Sequence, residues 1–160
     1  MRHFLLALPL VVLSGCPLFE PPPAPPPPTR EIITAPDAPA AIGPYSHAIK
    51  VGNVIYCSGQ IGLDPATGDL VGGDIQDETR QALKNLGAVL RAGGVDYKDV
   101  STATVYLTNM DDYKVVNEVY EEFFKDSKPA RAAVQVARLP RDARIEISCI
   151  AIQLETPAAK

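Results

Sequence analysis

Five polar side chains sit in otherwise apolar surroundings: Tyr45, Ser58, Asn117, Arg131 and Glu146. A carboxylate fixed among apolar neighbours can accept and return a proton. An arginine fork can hold a carboxylate through two parallel hydrogen bonds, which lysine does not reproduce. The clearest of the five lies in residues 144–152, RIEISCIAI. Strand alternation puts Glu146, Ser148, Ile150 and Ile152 on one face and Ile145, Ile147 and Cys149 on the other. Glu146 therefore projects from a largely apolar face. Arg131 similarly opens an apolar stretch directly after Pro129-Ala130. Residue types alone leave two readings open. The pair forms a structural ion pair, since buried charges are usually paired, or it does chemistry.

Several other chemistries lack their parts. The only histidines are His3 and His47, so zinc sites built on histidine have no ligand set, and no metal site is expected. A Ser-His-Asp triad on His47 stays open, but no GxSxG elbow accompanies it. Gly72-Gly73 has the spacing of neither nucleotide-binding fingerprint. From residue 31 onward, 13 Lys and Arg stand against 18 Asp and Glu, a net charge of −5. That field repels a nucleic-acid backbone, and no basic patch overrides it, because Arg138, Arg141 and Arg144 are interleaved with Asp142 and Glu146.

The elements that must position these residues follow from periodicity. Residues 48–62 hold two β-rich runs around Gly52-Asn53, a hairpin, closed by turn chemistry at residues 64–68. Ile75, Thr79, Ala82, Leu83, Leu86, Val89 and Leu90 form a helical stripe with Asp74 as N-cap and Gly93-Gly94 at the end. Residues 100–108, VSTATVYLT, read as a strand. A second helix is predicted over residues 112–125, with Asp111 near its cap and Tyr113, Val116, Tyr120, Phe123 and Phe124 facing inward. Asn117 falls on that inner face, where an amide points into the core or an interface. Strands over residues 131–137 and 144–154 complete a β-β-α-β-α-β-β order, an α+β arrangement with both helices on one sheet face. The other face needs cover, and in a domain of this size self-association is the economical solution.

The N-terminal segment differs in kind. Arg2 and His3 precede an apolar run over residues 4–13, too short to span a bilayer and shaped like a signal peptide. It ends in Leu13-Ser14-Gly15-Cys16, which resembles the lipobox of bacterial lipoproteins, in which the cysteine is lipidated and becomes the first mature residue. Half of the 16 prolines follow in residues 17–28. Such a run forms a polyproline II stalk reaching roughly 35–40 Å, at about 3.1 Å per residue. The chain therefore divides into a signal (1–15), a lipidated cysteine and linker (16–30) and a folded domain (31–160). The domain is expected in the cell envelope, lipid-anchored and facing the periplasm or exterior. Cys57 and Cys149 lie in apolar strands and are read as buried free thiols, although an exported compartment would permit a disulfide.

Taken in order, residues 38–46 (APAAIGPYS), 58–61 (SGQI), 115–124 (VVNEVYEEFF), 129–131 (PAR) and 136–140 (VARLP), leading to 145–147 (IEI), resemble the RidA-type reactive-intermediate deaminases, the Rid family. The similarity runs over residues 33–154. It implies a chorismate-mutase-like fold closing as a homotrimeric barrel, with sites in the clefts between subunits. It also implies hydrolysis of small carboxylate-bearing enamines or imines, such as 2-aminoacrylate, to a 2-keto acid and ammonia without cofactor. By the same resemblance, Arg131 holds the substrate carboxylate, Glu146 orients water and shuttles protons, and Tyr45 stands beside that water. Ser58, Gly59 and Asn117 line the cleft. Ala133 stands where better-known members often carry cysteine. The alternatives are a non-catalytic small-molecule-binding trimer and the ribonuclease activity ascribed to some relatives.

Overall fold

The computed structural model describes residues 26–154. The apolar run at 4–13, Cys16 and most of the proline stalk lie outside the described residues. No helix among the described residues is long and apolar enough to cross a membrane.

Eight main elements follow one another: β1 (Arg30–Ile33), β2 (Ala48–Val51), β3 (Val54–Ile61), α1 (Ile75–Ala92), β4 (Val100–Leu107), α2 (Tyr113–Phe124), β5 (Ala130–Gln135) and β6 (Ile145–Ile152). Single 3₁₀ turns join some of them. The strands make one sheet in the order β1-β2-β3-β6-β4-β5, antiparallel except for the β4–β5 pair. The α+β class, the hairpin and both helices agree with the sequence reading. β1 is additional, because four residues with one buried side chain carry no alternation signal, and the strand exists through its pairing with β2.

Local chemistry explains the element ends. Gly52 turns the β2–β3 hairpin with φ of 60°, a conformation glycine adopts without steric penalty. Asp74 caps α1, accepting from the backbone N–H of Gln76 at 2.8 Å and of Asp77 at 3.1 Å. The start of α2 departs from expectation. Asn109, not Asp111, accepts a capping bond, from the Asp111 N–H at 3.0 Å, and a 3₁₀ turn over Met110–Asp112 leads into the helix. Asp112 then occupies the N-cap without any side-chain bond.

Both helices lie on one sheet face. Leu83, Leu86 and Leu90 of α1 and Val116, Val119 and Phe124 of α2 pack over Ile55, Val105, Leu107, Ile145 and Ile147. Each fully buried side chain of this size contributes about 1.5–3 kcal/mol. The alternation in β6 is the one read from sequence, with Ile145, Ile147, Cys149 and Ala151 buried and Glu146, Ser148, Ile150 and Ile152 turned the other way. That second face is uncovered in the single chain. Ile32, Ile49, Tyr56, Ile150, Thr102 and Ala130 form one rung across all six strands, and Ile32 and Tyr56 on it are 62% and 48% exposed.

Buried polar ties lock the sheet ends near Glu146. Glu78 of α1 accepts from the Arg144 backbone N–H at 2.6 Å and from its Nε at 3.0 Å, fixing the entry into β6. Asn85 donates to the Ile61 and Leu63 carbonyls at 3.0 and 2.8 Å, fixing the exit from β3. Both side chains are nearly inaccessible, so each bond satisfies a group that would otherwise be buried unpaired.

Candidate active site

The sequence-derived residues fall into two clefts. Glu146 pairs with Tyr106 on β4 and with Ile61 on β3, on the uncovered face. The β3–β6 register steps from Cys57↔Cys149 to Gln60↔Ile147, which leaves one extra residue in the Ser58-Gly59 segment, a β-bulge. A Cβ at Gly59 would overlap the Glu146 carboxyl group, so the absence of a side chain there lets the carboxylate lie against the β3 backbone. Ser58 donates its hydroxyl to the Ser46 carbonyl at 2.6 Å, and its N–H donates to the His47 carbonyl at 3.0 Å. These two bonds draw the 38–47 loop over the bulge.

His47 completes that loop and is not a catalytic base. Its Nδ1 accepts from the Ala35 N–H at 3.0 Å, which leaves the proton on Nε2, facing the Pro39 carbonyl at 2.9 Å. With both nitrogens engaged by backbone, the triad left open by the sequence is ruled out. Tyr45 is held differently: its hydroxyl accepts from the Ile42 N–H at 3.2 Å, while the ring faces solvent and the cleft.

Tyr45, Ser58, Gly59 and Glu146 thus share one cleft of about 270 Å³, walled by Ile42, Ile61 and Pro140. These three apolar walls were missed in the sequence. Pro140 lies in the very stretch 136–140 that carried the resemblance. It opens a turn in which Arg141 and Asp142 have φ of 59° and 58°, a left-handed conformation of the kind that clusters at functional sites. Glu146 is half-buried, and among the described residues no cation pairs with it. Burial alone pushes its carboxyl group above the usual carboxylate range.

Arg131 and Asn117 occupy the second cleft, of about 320 Å³, with Tyr120, Lys128 and Pro129. Arg131 pairs with Ala103 on edge strand β5 and turns to the helix face, where its guanidinium lies 4.6 Å from the centre of the Tyr120 ring and 5.7 Å from that of Tyr113. Its Nη2 donates to the Tyr113 hydroxyl at 3.2 Å. The Asn117 amide, then the Arg131 guanidinium, hold that phenol below its usual range. Burial pushes the Tyr120 hydroxyl up to about 12. Among the described residues, Asn117 Oδ1 and the Tyr120 hydroxyl are buried without a hydrogen-bond partner, which leaves polar capacity at the wall of the cleft.

Arg131 and Glu146 therefore project from opposite faces of one sheet, and the structural ion pair between them does not form within the chain. Neither meets an opposite charge among the described residues. Nor does any group of three or more His, Cys, Asp or Glu among the described residues form a metal-binding cluster.

The profile of the Endoribonuclease L-PSP family matches residues 35–153. The chain belongs to this family. Among curated L-PSP relatives, the mouse 2-iminobutanoate/2-iminopropanoate deaminase is 54% identical over 124 residues, spanning 78% of this chain and 92% of the mouse protein. The human protein of the same name is 52% identical, over 78% and 90%. Solved L-PSP structures agree in fold. A putative endoribonuclease from Thermotoga maritima superposes with a TM-score of 0.76 at 50% identity, covering 78% of this chain and 98% of its own. Escherichia coli TdcF with bound serine superposes with a TM-score of 0.74 at 40% identity, covering 78% and 99%.

The raised Glu146 carboxyl carries a sign that can be tested. A carboxyl whose folded pKa exceeds its unfolded value binds more protons when folded, so this group's contribution to stability is fully present below about pH 4 and is lost as pH rises through the folded pKa. Glu146→Gln removes that penalty. With Arg131 also replaced by alanine, so that no guanidinium of another copy can face the carboxylate, the Glu146→Gln variant is expected to melt at a higher temperature than the Arg131→Ala parent at pH 7, with the difference closing toward pH 4. Equal melting temperatures in that background would show that burial does not raise the Glu146 carboxyl.

Proposed function

We propose that the chain hydrolyses small, carboxylate-bearing enamines and imines of the 2-aminoacrylate type to 2-keto acids and ammonia. The observation that carries the reading is the pair of complementary half-sites. One is a guanidinium with no carboxylate partner among the described residues. The other is a half-buried carboxylate with no cation partner among the described residues, its carboxyl group pushed above the usual carboxylate range by burial, as suits a general acid and base. Support comes also from relatives of 52–54% identity named 2-iminobutanoate/2-iminopropanoate deaminase, at least 90% of whose length is covered.

In this mechanism the enamine first tautomerises to an imine, carbon gaining a proton as nitrogen gives one up. Arg131 grips the substrate carboxylate, with Asn117 and Tyr120 supplying polar contacts at the same wall. Water held by Glu146 and Tyr45 adds to the imine carbon as Glu146 accepts its proton. Glu146 returns that proton to nitrogen, and as the carbinolamine collapses Glu146 takes its hydroxyl proton and passes it to the same nitrogen, so that the keto group forms and ammonia leaves. Metal and organic cofactors have no part in these steps.

The two half-sites come together between subunits. Three copies close head to tail, so that Arg131 on edge strand β5 of one chain faces the Glu146 cleft of the next. The uncovered rung with Ile32 and Tyr56, an apolar face that a lone soluble chain would expose to water, favours this assembly. A purely ligand-binding trimer accounts less well for Glu146, since gripping a carboxylate requires only the arginine. The family's name raises an endoribonuclease reading. The net charge of −5 from residue 31 onward and the engagement of His47 by backbone both disfavour it.

Arg131→Ala is expected to lower kcat/KM for ammonia release from imines generated by an amino-acid oxidase by about 10²–10³-fold, the scale of losing a charged bidentate contact. Arg131→Lys should recover only part of it. Undiminished turnover in the alanine variant would reject the assignment.

The reading also places the enzyme in the cell envelope, with residues 1–15 removed, Cys16 lipidated and the proline stalk holding the domain off the membrane. Its substrates are then imines formed outside the cytoplasm. Cys16→Ser is expected to move the chain from the membrane fraction to the soluble fraction of the cell. A parent chain already found in the soluble fraction would contradict the anchor.

A further inference from the structure

Cys57 and Cys149 are direct register partners across the antiparallel β3–β6 pair. Opposed residues in such a pair have Cα atoms about 4.5–5.5 Å apart, inside the roughly 4.4–6.8 Å window of protein disulfides. Both side chains turn to the helix face and are buried there, 7% and 4% exposed. They are free thiols. If Cys16 carries lipid, they are the only two thiols of the mature chain, and neither has another cysteine to choose.

We propose that Cys57 and Cys149 form a disulfide in the exported protein, a covalent staple across the centre of the sheet. The inference rests on the export reading above but is independent of the catalytic one. The bond forms by two exchanges with a disulfide donor, either an oxidised dithiol protein of the envelope or glutathione disulfide. One cysteine thiolate attacks the donor, giving a mixed disulfide and releasing one sulfur of the donor as thiol. The second cysteine thiolate then attacks the mixed disulfide and releases the other. Two protons and two electrons leave the cysteines, and the donor is reduced to two thiols.

Timing follows from burial. In the folded, reduced chain the Cys149 thiol is pushed far above its ordinary range, first by its hydrogen bond to Cys57 and then by burial. It is therefore unreactive once α1 covers the sheet, and oxidation belongs to folding. The closed loop is long, about 90 residues, which in the chain-entropy account places the staple toward the upper end of disulfide stabilisation. Position adds a local consequence. Cys57 immediately precedes the Ser58-Gly59 bulge, and Cys149 lies on the strand that carries Glu146. The bond would fix the β3–β6 register at the point from which the bulge departs, and so hold Gly59 against the carboxylate.

The test uses the full chain, taken from the membrane fraction of cells and, separately, unfolded with reductant and refolded in glutathione disulfide. Each sample is alkylated under denaturing conditions and mapped by mass spectrometry. The expected result is a linked Cys57–Cys149 peptide pair with neither thiol alkylated, and a melting temperature that falls by roughly 10 °C on reduction. Cys57→Ala, refolded identically and checked for native circular dichroism, should leave Cys149 alkylatable and abolish the shift on reduction. Two alkylatable thiols in the refolded, native parent would overturn the proposal. A linked pair after refolding but free thiols in cells would overturn it for the cell and locate the failure in the export reading.

Discussion

Alternation along a β-strand is the constraint on which the rest of the site depends. Side chains at successive positions leave a sheet on opposite faces, and here the pairing ladder puts Arg131 level with Ala103 and Glu146 level with Tyr106. Ala103 belongs to the buried helix side, and Tyr106 to the open side. The sheet itself therefore stands between Arg131 and Glu146, the groups proposed to hold the substrate carboxylate and to handle protons. A small substrate that needs both must find them on different copies of the chain. In the proposed mechanism this ties catalysis to assembly, and it would give the apolar open face a role beyond stability, because closing that face would complete the site.

The remaining polar groups serve placement. Gly59 leaves room for the Glu146 carboxyl group, and the bulge around it aims that group into the cleft. Ser58 and His47 fasten the 38–47 loop, which carries Tyr45, through bonds to backbone. Glu78 and Asn85 hold the two strand ends beside the site from α1. A half-buried carboxylate without a counter-charge is destabilising in a lone chain, and the surrounding fold sustains it with a dense set of backbone-directed bonds. Among the described residues, the unpaired Asn117 Oδ1 and Tyr120 hydroxyl stand at the Arg131 cleft, where local rules yield as they do at functional sites.

Most of the scaffold was legible from periodicity. The α1 stripe with its Asp74 cap, the hairpin at Gly52 and the in–out pattern of residues 145–152 each rest on local signals strong enough to survive folding. The residues proposed to do chemistry were visible as polar exceptions in apolar segments. What escaped depends on long-range pairing. β1 is a strand only because β2 is beside it. Glu78 reads locally as a first-turn acid favourable to the helix dipole, and only the fold turns it inward onto Arg144. Pro140 and Ile61 become walls of the Glu146 cleft through the bulge and the turn after β5. The division of the site between two sheet faces required the strand order, in which β6 is inserted between β3 and β4. Residue types alone made an Arg131–Glu146 ion pair equally reasonable.

The central claim is that a working site takes its guanidinium from one chain and its carboxylate from another. The direct measurement is complementation between two inactive variants. Arg131→Ala and Glu146→Ala chains, carrying different affinity tags, are unfolded together, refolded and purified through both tags, and imine hydrolysis is assayed on the mixed assemblies. Each mixed trimer, closed head to tail, holds one interface in three that pairs an intact Arg131 with an intact Glu146, so activity should return to about a third of the parent. Mixed assemblies as inactive as either variant alone would contradict a site shared between subunits.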